Sequence, residues 1–307
     1  MTMLTALAPD LLLIDTGYQG TPQAIGVYLL LGERPALIET GPTTCLERVL
    51  EGVRAAGLPP EALRAAAVTH IHLDHAGAAG VLARRLPHLE VYVHPVGAPH
   101  LRDPSRLLAS ARRLYGETLE PLFGEVAPVP ADRVHVLEDG AQVRLGSRTI
   151  TAVDTPGHAR HHLAYWDPHS GDLFTGDVGG VALPGLRYVR APTPPPDFDP
   201  PAWHASLTRL RALRPRRLLL THFGAHDWVD ELLDELDAAI DRFVELGREV
   251  LASGADAEVL AERLRAEART RLAERGGAAA LAHLEIVMPS VQSALGIIRY
   301  LMRQAAG

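Results

Sequence analysis

The sequence predicts an α/β body, residues 1–228, followed by an all-helical C-terminal extension, residues 229–307. Three observations carry this expectation. Short apolar runs separated by Gly and Pro turns recur as far as residue 220, the pattern of strands in a buried sheet. Between residues 65 and 86 a β-like run, a polar turn and a helix-like run succeed one another. Beyond Trp228 the apolar residues recur only at helical spacing.

In order, residues 11–15 (LLLID), 25–31 (IGVYLLL) and 36–39 (ALIE) read as consecutive strands, and 45–56 as a helix ended near Gly57. Residues 65–68 form a strand, 70–75 a turn, 76–86 a helix and 90–94 a strand. The stretch 95–125 is helical and Arg-rich without evident metal ligands, and reads as an insertion over the sheet edge. Strands resume at 134–137, 141–145 and 149–153 around the Asp139-Gly140 turn, then at 162–166 and 172–175. The proline-rich stretch 190–201 is a loop. Asp199 caps the helix that follows, with Pro200 in its first turn and Trp203, Leu207 and Leu210 on one face. A strand at 217–220 precedes the tail, whose helices span about 230–252, 256–275 and 278–304, the last broken at Pro289.

A chain of 307 residues that is 47% hydrophobic can bury a full core. The net charge of -7 argues against nucleic acid as a partner, because such proteins carry a basic footprint. All 30 cationic side chains are Arg, which excludes a catalytic lysine. The lone Cys45 forms no internal disulfide and fits a reducing compartment. No stretch has the length of a membrane span, and a cytoplasmic protein acting on a small molecule is expected.

The chemistry concentrates in Thr69-His70-Ile71-His72-Leu73-Asp74-His75-Ala76-Gly77. In extended backbone the period-2 rule sends His70 and His72 to one side, where both can bind one metal ion. Asp74 and His75, at the turn into the helix, can reach a second. His158, Asp177 and His222 each sit at or just past the C-terminal end of an expected strand, so their loops can converge on one sheet edge. Neutral imidazole and carboxylate suit zinc, and also iron or manganese.

An H-x-H-x-D-H motif, then a His in T-P-G-H, an Asp after Gly and a late His, in this order, resembles the metallo-β-lactamase superfamily over residues 10–227. The resemblance implies a four-layer αβ/βα sandwich with a dinuclear site at one edge. It further implies that His70, His72 and His158 bind a first divalent metal ion, that Asp74, His75 and His222 bind a second, and that Asp177 bridges them. Asp74 and Asp177 are then the candidate catalytic carboxylates. One position departs: where many members have I-D-T-G, this chain has Ile38-Glu39-Thr40-Gly41, which puts a longer side chain in the outer shell.

Two metal ions about 3.5–4 Å apart hold a hydroxide and stabilise an oxyanion. The expected activity is hydrolysis of a small ester, thioester or lactone. The rival readings are a mononuclear iron oxidoreductase resembling persulfide dioxygenases, and a non-catalytic binding protein on the same fold. Beyond the seven ligands, His161 or His162 is a candidate to orient a ligand or touch substrate, and His226 to line the site. Tyr18, Tyr188 and Arg190 lie in loops that reach toward the mouth. The tail is expected either to pack against the metal edge, where residues 283–300 with Met288, Pro289 and Arg299 would wall the pocket, or to serve as a dimerisation element of a homo-oligomer or as a simple buttress.

Overall fold

The computed structural model describes residues 3–306, so the outermost ends of the two divisions expected from the sequence lie outside it. One sheet has the order β1 (Leu4–Ala8), β2 (Leu11–Asp15), β3 (Gly26–Leu30), β4 (Ala36–Ile38), β5 (Ala65–Ala67), β6 (Glu90–Val93), β7 (Val134–Val136). Its first four strands are antiparallel and β4 to β7 are parallel. The second sheet contains β8 (Gln142–Leu145), β9 (Arg148–Asp154), β10 (Leu163–Asp167), β11 (Asp172–Phe174), β12 (Arg217–Leu220) and β13 (Gly224–His226), in the reverse spatial order from β13 to β8. Helices α1 (Leu46–Ala55), α2 (Leu73–Ala76), α3 (Ala79–Arg85), α4 (Ala98–Arg102), α5 (Ser105–Tyr115) and α6 (Leu119–Phe123) connect strands of the first half. Helix α7 (Pro200–Ala212) precedes β12, and α8 (Val229–Ala252), α9 (Ala257–Glu274), α10 (Ala280–Val287) and α11 (Ser290–Ala306) close the chain.

The apolar runs lack polar alternation because both faces of each sheet are covered. In β2, Leu12 and Ile14 enter the core under α1 and α3, whereas Leu11 and Leu13 enter the core between the sheets. Val27 and Leu29 against Tyr28 and Leu30 in β3 repeat the division. In β12, Leu219 faces the inter-sheet core while Leu218 and Leu220 face the helices on the far side. The layers are therefore helix, sheet, sheet, helix: a four-layer sandwich. The outer core of the second sheet joins Leu173 and Leu218 to Trp203 and Leu207 of α7, Leu236 and Phe243 of α8, Leu260 of α9 and Ile297 of α11. Asp199 caps α7 by accepting from the Ala202 N–H at 3.2 Å, as its position in the sequence implies.

Several local readings change. The helix expected over 76–86 starts three residues earlier and is interrupted after Ala76. The interruption lets the Ala78 N–H bond the Gly41 carbonyl at 2.9 Å, which ties the helix pair to the loop after β4. Strands β1 and β13 have no counterpart in the sequence reading. The Arg-rich insertion forms α4 to α6, and α5 faces a cavity instead of merely covering a sheet edge. Among the described residues no single helix is long and apolar enough to cross a membrane.

Candidate metal centre

Strands β9, β11 and β12 run in one direction, since β10 is antiparallel to β9 and β11 while β11 and β12 are parallel. Their C-terminal ends share an edge, and the loops leaving them carry His158, Asp177 and His222. Strands β4 and β5, parallel to each other, deliver Glu39 and the His70–His75 turn. Two glycines allow the close approach of these loops. A Cβ on Gly157 would lie 2.4 Å from the Trp203 backbone, and one on Gly176 would lie 2.4 Å from Thr69 Oγ1.

All seven ligands expected from the sequence meet at this edge, in two groups. His70 Nε2 lies 2.9 Å from His72 Nδ1, which lies 3.0 Å from His158 Nε2. Asp74 Oδ2 lies 3.6 Å from His75 Nε2 and 3.4 Å from His222 Nε2. Asp177 serves both groups with different oxygens. Its Oδ2 is 3.3 Å from His158 Nε2, while its Oδ1 is 3.1 Å from His75 Nε2 and 3.4 Å from His222 Nε2.

The outer partners fix which nitrogen of each ring is bare. His158 Nδ1 donates to the Pro192 carbonyl at 2.8 Å, and His222 Nδ1 to the Ala24 carbonyl at 2.7 Å. His75 Nδ1 donates to Glu39 Oε1 at 2.9 Å. The Thr69 hydroxyl gives its proton to Glu39 Oε1 at 2.5 Å, so its oxygen accepts from His70 Nδ1 at 3.0 Å. With Nδ1 engaged, each of these four rings turns its Nε2 inward. Glu39, fully buried, also accepts from the Thr69 N–H at 3.1 Å and the Thr221 hydroxyl at 3.2 Å. The longer side chain at this position thus reaches across three segments and orients one ring of each group. Glu39 holds φ +69°, a left-handed conformation that a non-glycine residue adopts at a cost.

The electrostatics divide the same way. Burial, reinforced by neighbouring imidazoles, pushes His70 well below its ordinary value and His72 down to about 3, and burial also lowers His158. For His75 and His222 burial works in the same direction, but the Asp177 and Asp74 carboxylates overcome it and raise both. Burial pushes Asp177 up, and His75, His158 and His222 more than reverse this, holding it well below the carboxylate range. The buried His75 Nε2, His222 Nε2 and Asp177 Oδ1 have no hydrogen-bond partner. Three convergent polar atoms left without a partner in the interior are costly, and a cation bound in place of protons satisfies all three, so the residues present fit divalent metal. His70, His72, His158 and Asp177 form one such set, and Asp74, His75 and His222 the other.

Other candidates separate cleanly. His162 Nε2 accepts from the Asp177 and Val178 N–H groups at 3.2 and 3.4 Å, so it positions the Asp177 loop. His161 lines the cavity above the first group, its ring 5.5 Å from that of His72. His226 bonds the Ala182 and Phe223 carbonyls and takes the Trp228 indole N–H, a role in the fold and not in the site. Tyr18 lines the cavity. Tyr188 and Arg190 do not: Tyr188 is buried among Leu272, Leu284 and Met288, and Arg190 bonds Glu285 and Ser290 in the tail. The cavity of about 540 Å³ opens from Asp74, His72 and Asp177 and is walled by α5, the 194–197 loop and the tail, including Met288, Pro289 and Arg299.

A family model described as the metallo-beta-lactamase superfamily matches residues 10–222. Among curated relatives, a metallo-beta-lactamase fold-containing protein of Sulfurisphaera tokodaii is 30% identical over 160 residues, 51% of this chain and 59% of its own. A hydroxyacylglutathione hydrolase of Aeromonas hydrophila is 29% identical over 182 residues, 59% of this chain and 54% of its own. The chain thus spans little more than half the length of these relatives. Among solved structures, a metallo-beta-lactamase family protein from Thermus thermophilus superposes with a TM-score of 0.73 at 23% identity, over 98% of this chain and 96% of that one. That coverage carries the shared fold through the helical C-terminal region.

Proposed function

The chain belongs to the metallo-β-lactamase superfamily, and from this premise we propose that it is a metal-dependent hydrolase of a small ester, thioester or lactone. The observation that carries the proposal is the division of Asp177, one oxygen toward each imidazole group. His70, His72 and His158 would hold one divalent ion, with zinc foremost, and Asp74, His75 and His222 the other. Such ions supply a water acidified toward neutrality and polarise the carbonyl under attack.

The chain's own residues do the rest. Asp177 holds the two halves in register, and His162 fixes its backbone. Asp74, the more open of the two carboxylates and on the cavity wall, would accept and return the proton of the attacking water. His161, close by on the same wall, is placed to meet the substrate. The hydroxyacylglutathione hydrolase among the relatives supports a thioester as one substrate class. The completeness of the second group weighs against the mononuclear iron reading, which would use only the first.

The test is metal quantification on protein purified without added metal, followed by a panel of thioesters, lactones, phosphodiesters and β-lactams. Two ions per chain with chelator-sensitive turnover of an ester, thioester or lactone supports the reading. One ion with full activity, or turnover blocked by a serine reagent but not by a chelator, overturns it.

A further inference from the structure

Helix α5 is amphipathic, yet none of its residues is fully buried. Its inward side meets the cavity in two adjoining stripes. Arg106, Ser110 and Arg113 recur at helical spacing on one, and Leu107, Ala111 and Leu114 on the next. Across the cavity stands Arg299 of α11, and the two helices touch where the Tyr115 hydroxyl donates to Gln292 Oε1 at 3.3 Å. A fourth cation, Arg160, is drawn to Asp197 at 3.5 Å, whereas Arg106, Arg113 and Arg299 have no side-chain partner among the described residues. Apart from Asp74 and Asp177, Asp197 is the one carboxylate on this wall among the described residues. In a chain of net charge -7 this is a local reversal of sign, concentrated at a concave mouth where the field is focused.

We infer that α5 and Arg299 bind a polyanionic group of the substrate, with the apolar stripe of α5 covering the uncharged part between that group and the scissile bond. Three free guanidiniums match two or more negative charges, and the planar fork of Arg binds phosphate or carboxylate in a bidentate manner. The inference rests on the hydrolase reading and narrows it to acyl compounds carrying a multiply charged anion. Several phosphates on the leaving thiol satisfy the site better than the carboxylates of a small peptide thiol.

The experiment compares three thioesters of one acyl group: S-butyryl-coenzyme A, S-butyrylglutathione and uncharged S-butyryl-N-acetylcysteamine. The expected order of kcat/KM follows anionic charge, with the coenzyme A ester first. If glutathione leads instead, the anion is a carboxylate source and the phosphate assignment is overturned. In the double variant Arg106→Gln/Arg113→Gln the preference for the coenzyme A ester over the uncharged one should collapse by about tenfold or more, through KM. Arg54→Gln on α1, outside the cavity, should leave the preference intact. Equal kcat/KM for charged and uncharged esters in the wild type, or equal losses on all three in the double variant, overturns the inference. Calorimetric binding of free coenzyme A reads the site without turnover. Binding that weakens about tenfold in the double variant while no ester is cleaved retains the anion site and rejects the hydrolase reading, and binding that is absent in the wild type rejects the anion site.

Discussion

Nδ1 of His75 lies 2.9 Å from Oε1 of Glu39, and neither side chain reaches solvent. Because the same oxygen takes the Thr69 hydroxyl that orients His70, one carboxylate governs a ring in each ligand group. Glu39→Gln keeps the shape and removes the charge, so it should weaken metal affinity by about 10- to 100-fold with the fold intact. A chelator-competition titration measures this. Unchanged affinity with both ions would show that Glu39 has no hold on the ligands.

Asp177→Ala should lower metal content below the wild-type stoichiometry and abolish turnover, since it removes both carboxylate oxygens, one facing each group. Elemental analysis with circular dichroism checks occupancy and fold together. Activity that survives with metal content unchanged would remove Asp177 from the centre.

The docking of the tail depends on pH through Glu285. Burial raises its pKa, but Arg190, Ser290 and Arg265 more than offset this and leave the carboxyl below its ordinary 4.5. A depressed folded-state pKa means that the stabilisation is complete above the unfolded value and fades as pH falls through the folded one. The difference in Tm between wild type and Glu285→Gln should therefore be full at pH 7 and close below a pH of about 4.5. A difference that is constant across this range would contradict the ion pair.

Gly296→Ala would set a methyl group 1.9 Å from the Thr193 carbonyl oxygen, where α11 crosses the proline-rich loop. The backbone must yield, and a loss of roughly 1–3 kcal/mol is expected. Thermal unfolding of the variant measures it, and a wild-type Tm would mean that the crossing has slack to absorb the methyl group.

What was legible in the sequence was local. Four of the seven candidate ligands lie within six residues, and the other three mark the ends of largely buried strands of the second sheet, so pattern and position agree. Strand β1 escaped because its LTALA run is half exposed with no clean alternation, and β13 because Gly-Ala-His offers no β-branched residue. Glu39 read as a disturbance of the outer shell, for its reach to Thr69, His75 and Thr221 exists only once three segments meet. Arg190 read as a mouth residue for the same reason, its partners lying 95 and 100 residues further on. The seven-residue spacing of Arg106 and Arg113 was visible, but not what it faced.

Helix α11 carries Arg299 toward the cavity while Ile297 and Leu301 belong to the core beneath the second sheet. Selection acting on substrate range through this helix therefore drags stability along with it. Helix α5, with no fully buried residue, is held more loosely, by the partly buried Leu107, Leu108, Ala111 and Tyr115. Diversification of substrate preference among descendants of this chain should accordingly accumulate in residues 105–115, while the last helix drifts slowly.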